Sequence, residues 1–155
     1  MNTLQQAQQG LQFEDIFQRY TQSSLLDDFD PKFSGIEDTL SAQFKHSVVQ
    51  SLVVTLKKES ETLEIFRVQI DVGIRFLVEN NEQEAKPVAQ IEASYLVDYV
   101  ITDTALLGAT EALDEFALKN ASYHLWPFWR EFVMSQAQRM NLPKVPLPMR
   151  LPAKS

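Results

Sequence analysis

Three long stretches in which apolar and polar residues alternate dominate this sequence. In residues 40–57 the large apolar side chains fall mostly at even positions, and residues 66–78 show the cleanest alternation in the chain. Residues 89–101 repeat the pattern with apolar residues at odd positions. A period of two predicts β-strands that bury one face. Because polar turns at 58–61 and 80–84 separate the stretches, we predict an antiparallel meander.

The predicted strands are unusually long. At about 3.3 Å per residue, a strand of about 15 residues extends roughly 50 Å, whereas most strands have five or six residues. One helix from the same chain would cover such a sheet poorly. The strand length therefore predicts a partner subunit.

The segments that flank the alternating region are of different kinds. In residues 13–20 the aromatic and aliphatic spacing fits a helix, while residues 17–21 fit a strand equally well. After residue 103 the apolar period changes to 3.6, which predicts a short helix at 110–117 and a longer one at 125–140. Pro127 would lie near the start of the longer helix or kink it. The fold class is therefore α+β.

The C-terminal stretch is rich in proline. Prolines recur between residues 141 and 148, too often for a helix or a central strand. We therefore predict an extended arm over 141–155. A length of 155 residues and a hydrophobic content of 45% suit one domain spanning 1–155.

Several classes of chemistry find no support in the composition. The chain has no cysteine and only two histidines, so a disulfide, a thiolate site or a three-histidine metal site cannot form. No phosphate-binding loop, zinc-protease motif or nucleophile elbow occurs. We expect neither an enzyme nor a bound cofactor or metal.

The charge of −7 is unevenly distributed. Residues 1–39 carry a net −5 and residues 80–119 a net −6, whereas residues 120–155 carry a net +4 with the bases spaced singly. An acidic body repels nucleic-acid phosphates and favours basic protein segments. The chain also shows no apolar run long enough for a membrane span and no basic, apolar leader at its start, so we expect a cytoplasmic protein without nucleic-acid or membrane partners.

Four aromatic residues lie within seven positions of the longer predicted helix. Phe128 and Phe132 fit an ordinary core, but Trp126 and Trp129 point in more than one direction on a helix. Subunit packing would cover the side chains that the sheet does not. We therefore predict an oligomer interface at four aromatic side chains: Phe17, Tyr20, Trp129 and Phe132.

The same region resembles a known family. Residues 120–131, Asn-Ala-Ser-Tyr-His-Leu-Trp-Pro-Phe-Trp-Arg-Glu, are followed by the Leu-Pro arm of residues 141–147. This order of an Asn, an aromatic-Pro-aromatic step, an Arg-Glu pair and a Leu-Pro arm resembles the SecB-like export chaperones. Residues 17–21 look like the first strand of that family, which favours a strand there.

The resemblance implies an antiparallel four-stranded sheet crossed by a helix, with subunits paired as a dimer of dimers. It also implies an ATP-independent holdase that binds unfolded polypeptide in apolar grooves. The groove positions do not follow from the helix motif. Our candidates rest on expected exposure around the crossover region: Leu106, Leu107, Phe116, Leu118 and Trp126.

The sequence also departs from the pattern of the export chaperones. It ends at Ser155, soon after the Pro-rich arm, without the second helix and the SecA-binding tail of that family. We therefore do not expect delivery to SecA. The expected clients are unfolded polypeptides, such as an antitoxin or a preprotein. Two other functions remain open from the residues alone: a small-ligand-binding domain with a helix closing the sheet, and a structural adaptor for one folded partner.

Overall fold

The fold is a four-stranded antiparallel sheet followed by a long helical segment. The computed structural model of the chain describes residues 2–33, 40–80, 83–143 and 147. The sheet order is β1-β4-β3-β2, which places the first two strands of the chain at the two edges. The elements in chain order are α1 (Thr3–Gly10), β1 (Leu11–Leu25), β2 (Leu40–Lys58), β3 (Glu61–Asn80), β4 (Gln83–Ile101), a 3₁₀ turn (Thr104–Gly108), α2 (Thr110–Phe116), a π-helical turn (Ala117–Ala121) and α3 (Ser122–Arg139).

The predicted α+β fold is confirmed, and the N-terminal ambiguity is settled as a strand from Leu11. Helix α1 was not predicted from the sequence. This helix begins with a capping box, in which the Asn2 side chain accepts from the Gln5 amide at 2.8 Å and the Gln5 side chain accepts from the Asn2 amide at 3.2 Å. The spacing of Asn2 and Gln5 is a recognisable helix start, but four glutamines leave almost no apolar periodicity after it.

The two predicted helices form a continuous helical segment. A π-helical turn joins α2 to α3, so the chain does not leave helical geometry between Thr110 and Arg139. Pro127 lies inside α3 and not at its start. Its nitrogen has no hydrogen to donate to the carbonyl of Tyr123 four residues earlier. Most of the predicted arm lies outside the described residues, apart from 141–143 and Leu147.

The chain divides into two compact units, and each contains parts of the same strands. The first unit comprises Met1–Arg19, Ser47–Ile70 and Tyr95–Leu125. The second comprises Tyr20–His46, Asp71–Ser94 and Trp126–Ser155. A single domain over residues 1–155 stays a prediction.

The core lies on the two central strands. In β4 the odd positions from Ala89 to Ile101 are buried, as the alternation predicts. The even positions of β3 are buried to 1% exposure or less: Phe66, Val68, Ile70, Val72, Ile74 and Phe76. Branched and aromatic side chains suit these positions because they fill the space above a pleated surface.

The predicted buried face of β2 is wrong. No side chain of this edge strand is buried, and Phe44 is 53% exposed. In the second unit Gln43 accepts from Arg75, which pairs odd positions of β2 with odd positions of β3. In the first unit Thr55 donates to Glu64, an even position of β3. The alternation of β2 therefore shifts by one residue along the strand, as a β-bulge does, and its even-numbered apolar residues do not share one face.

The burial of the aromatic residues of α3 differs from the burial expected from the sequence. Trp126 and Trp129 are buried at 5% and 1% exposure, whereas Phe128 is 48% exposed and Phe132 is half-buried against Trp129. The helical period explains this result. Trp126, Trp129 and Val133 follow one another at intervals of three and four and are all buried, so both tryptophans are core residues of the chain itself.

We expect Trp129→Ala to lower the free energy of unfolding by about 3–5 kcal/mol, because it removes a fully buried indole. The matched control is its neighbour, and Phe128→Ala should change stability by about 1 kcal/mol or less. Urea denaturation followed by circular dichroism measures both. Equal losses for the two variants would contradict the assignment of Trp129 to the core.

Candidate functional site

The crossover segment between β4 and α2 is held by short-range hydrogen bonds and by the end of α1. The Asp103 carboxylate accepts from the Ala105 amide at 3.0 Å, and the Thr102 amide donates to the Gly10 carbonyl at 2.8 Å. The Leu106 amide donates to the Asp103 carbonyl at 3.0 Å. These bonds form a tight turn that directs successive side chains inward and outward.

The structure divides the predicted client-binding residues into two groups. Leu107 and Leu118 are exposed at 43% and 63%. The exposure expected for Leu106, Phe116 and Trp126 is wrong, since all three are buried. Helical geometry turns Phe116 toward Tyr99, and α1 lies against Leu106. Trp126 belongs to the second unit and the other four to the first. Binding of a client at these residues stays a prediction.

Helix α1 lies against the crossover segment and α2. A Cβ atom added at Gly10 would lie 2.5 Å from Leu106 Cδ1 and 2.9 Å from Asp103 Cβ, so only glycine allows this approach. Thr3 Oγ1 donates to the Glu115 carboxylate, and Gln8 Nε2 donates to Asn120 Oδ1 at 3.4 Å. The only signal for this contact in the sequence is the glycine between a polar helix and a strand.

An aromatic cluster in the first unit joins β4 to the helical segment. The rings of Tyr99 and Phe116 meet edge to face at 4.8 Å, and Phe13 lies 6.0 Å from Tyr99. The Tyr99 hydroxyl and His124 Nδ1 are 2.6 Å apart. Burial raises the pKa of Tyr99 and lowers the pKa of His124, so both groups are neutral near pH 7. The pair is a hydrogen-bonded packing contact between the helix and the sheet.

On the face of the sheet opposite to the Tyr99 cluster, the first unit carries a charged pair, Arg67 and Asp98. Arg67 donates two hydrogen bonds of 2.8 Å to the Asp98 carboxylate, and this contact raises the pKa of the Arg67 guanidinium. The guanidinium lies 5.4 Å from the ring of Phe17. Phe17 therefore lies on the face of the sheet that carries Asp98, whereas Phe13 lies on the face that carries Tyr99, because adjacent residues of β4 point to opposite faces. Phe13 and Phe17 are four residues apart and would share a face in a regular strand, so the alternation of β1 shifts between them.

Two of the predicted interface residues lie on the exposed edge strand β1. Phe17 is 41% exposed and Tyr20 is 51% exposed. Trp129 is buried within the chain, and Phe132 is partly exposed. An interface between subunits stays a prediction for all four.

Acidic side chains occur at the start of the crossover segment and along α2. Asp103, Glu111 and Asp114 are exposed. Hydrogen bonds from Thr3 and Lys119 lower the pKa of Glu115, which keeps this carboxylate ionised. Within residues 2–33, 40–80, 83–143 and 147, no three histidine, cysteine or acidic residues are placed to hold a metal ion. No helix in the described part of the chain is long and apolar enough to cross a membrane.

The second unit contains a concave surface that was not predicted from the sequence. It lies along α3, has a volume of about 760 Å³, and is lined by Pro127, Arg130, Val133, Met134 and Leu142, among others. Arg130 Nε donates to the Leu147 carbonyl at 3.2 Å. The signal in the sequence is the spacing of Arg130, Val133 and Met134 at three and four residues, which places them on one side of a helix.

Comparisons with known proteins identify the fold. No family profile and no curated protein matches the sequence. A search of solved structures finds a SecB-like chaperone of Mycobacterium tuberculosis, in complex with a ChAD peptide from the HigA1 antitoxin. The likeness has a TM-score of 0.67 at 16% sequence identity and covers 99% of this chain and 100% of the other. The chain therefore has a SecB-like fold, as its helix and arm motif implied.

We expect the protein to lose stability as the pH falls below about 6.5, because His124 is held neutral in the fold. Its pKa is lower in the folded chain than in the unfolded one, so the unfolded state takes up a proton first. His124→Gln, which can still accept from Tyr99, should reduce this loss. Urea denaturation between pH 5 and pH 7.5 measures it, with His46→Gln as the control. An unchanged pH dependence in His124→Gln would rule out this group as the cause.

Proposed function

We propose that this chain is an ATP-independent chaperone of the cytoplasm that holds non-native polypeptide on exposed apolar surface. The observation that carries the proposal is the likeness in fold to a SecB-like chaperone in complex with an antitoxin peptide, over nearly the whole of both chains. The likeness supports a binding role and not catalysis. The expected clients are unfolded segments, including an antitoxin or a preprotein.

Exposed apolar side chains support this role. Leu107, Leu118 and Tyr123 in the first unit are each more than 40% exposed, as is Phe128 in the second. Covering apolar surface gains roughly 25 cal/mol per Å², so a few such contacts hold a flexible client without a deep pocket. The affinity would come mainly from area, which suits a binder of many sequences.

The charge around the crossover segment favours basic clients. Asp103, Glu111 and Asp114 are exposed beside Leu107, and the described basic residue nearest in the chain, Lys119, is paired with Glu115 at 3.0 Å. Long-range attraction to basic segments raises the rate of encounter, and salt weakens it. Clients with lysine or arginine beside an apolar run fit this surface best.

The edges of the sheet support an oligomer. Apolar side chains along both edge strands are exposed by more than a third, including Tyr20 on β1 and Phe44 and Val49 on β2. An exposed, apolar strand edge tends to pair with another chain. We propose that β1 joins subunits into dimers and that these form a dimer of dimers. A small-ligand-binding monomer and an adaptor for one folded partner are the alternative functions.

A mass measurement in solution separates these alternatives. We expect a multiple of 17.8 kDa, four-fold for a dimer of dimers. Tyr20→Asp should lower the mass, because a charge on the β1 edge opposes pairing. The matched control is Tyr123→Asp, since that tyrosine is exposed to nearly the same fraction, 54% against 51%, on α3. A clean monomer for the unaltered chain would contradict the proposed assembly.

Suppression of aggregation tests the proposed chaperone role. Insulin B chain aggregates and scatters light when the insulin disulfides are cleaved by a thiol reagent, and we expect the protein to lower this scattering. The reagent leaves this chain unchanged because it has no cysteine. Replacing Leu107 and Leu118 with serine should weaken suppression several-fold, about as expected for losing two exposed apolar contacts. Leu25→Ser with Leu63→Ser is the control, because both leucines are exposed by more than a third on strands. No suppression by the unaltered chain would refute the role.

A further inference from the structure

Helix α1 covers Leu106, one of the residues that we predicted to bind clients. Leu106 is fully buried, and the backbone of Gly10 lies directly against it. Ala7 and Gly10 are buried on the α1 side of this contact. Phe116, at the end of α2, is 3% exposed, and its neighbour Glu115 is bonded to Thr3 of α1. The burial of Leu106 therefore depends on a segment at the very start of the chain.

The attachment of α1 is weak by composition. The helix has eight residues, four of them glutamine, and helices of this length do not persist in water without tertiary contacts. Only Ala7 and Gly10 are fully buried in it, so it buries little apolar area. Its side-chain bond to Asn120 is exposed and the one to Glu115 is only partly buried, so water competes for these partners. Such a segment opens locally at small free-energy cost.

We propose that α1 is a displaceable cover, and that an apolar segment of a client takes its place on Leu106 and α2. This inference rests on the proposed function. It also identifies why a client would displace the helix. Residues 3–10 carry no charge, whereas Asp103 lies against Gly10 and the Glu111 and Asp114 side chains of α2 are exposed. A client segment with basic residues gains an attraction that α1 lacks, and this difference in affinity moves the equilibrium toward the open state.

A glycine pair in the chain provides a matched test of the cover. In Gly10→Ala the new Cβ would overlap Leu106 and force α1 away, while a Cβ at Gly108 meets nothing within 4 Å. The probe is fluorescein-labelled, reduced and carboxymethylated α-lactalbumin, and anisotropy reports its Kd. We expect Gly10→Ala to lower the Kd about tenfold, because the binding-competent fraction rises toward one. Gly108→Ala should bind as the unaltered chain does.

A cross-link that keeps α1 in contact with the helical segment tests the closed state, in which α1 covers Leu106, without disturbing the packing at Gly10. The side chains of Gln8 and Asn120 are 3.4 Å apart, and the chain has no cysteine of its own. Gln8→Cys with Asn120→Cys, joined by a short bismaleimide, should hold α1 in place. We expect the cross-linked chain to bind the same probe about tenfold more weakly, the converse of releasing the cover. The double variant before cross-linking is its control.

The outcomes separate the cover from the proposed function. Binding that weakens on cross-linking supports the cover, even where Gly10→Ala fails to fold. Equal Kd values for the unaltered, Gly10→Ala and cross-linked chains overturn the cover and leave the chaperone role intact. Binding by none of the chains overturns the proposed function and the cover together. Hydrogen exchange in α1 should become faster when the unaltered chain is saturated with the probe.

Discussion

The burial of alternating apolar positions on β3 and β4 is the interaction that the rest of the structure depends on. Alternating residues from Phe66 to Phe76 on β3 and from Ala89 to Ile101 on β4 are buried on the two central strands. Because these two strands are central, β1 and β2 are edges with no strand on one side. Their own apolar residues cannot all reach the core. The exposed surface of the protein is thus a direct consequence of which strands the core uses.

In the helical segment and the crossover segment, neighbouring apolar residues differ in burial. Along α3 the indoles of Trp126 and Trp129 fill the interior, which leaves Phe128 and Met134 on the outside. Beside the crossover segment the same division buries Leu106 and exposes Leu107. Neighbouring residues of similar chemistry therefore have different roles, one stabilising the chain and the other available to a partner. Exposed apolar surface beside a packed core is the feature on which the proposed binding of unfolded segments relies.

The fold was largely predictable, and the site was not. Period-two alternation in residues 66–78 and 89–101 is strong because those strands are buried. In β2 the same kind of alternation misled, since the shift between Gln43 and Thr55 depends on pairing with β3 and leaves no mark in the pattern. The prediction that Phe116 and Trp126 are exposed was wrong for a related reason. Apolar side chains near a surface helix can face either way, and only the packing partner decides.

The sequence by itself determined the class of fold, the three strands between residues 40 and 101 and the helices that follow them, and the family resemblance added a first strand. It did so because hydrophobic periodicity is a local property, and because the motif from Asn120 to Glu131 is distinctive. Only the tertiary structure decided that α1 lies on Leu106, that the tryptophans belong to the core and that β2 remains an exposed edge. Those outcomes are set by contacts between residues far apart in the chain, such as Gly10 with Leu106. A pattern of neighbouring residues does not show the energies of such contacts.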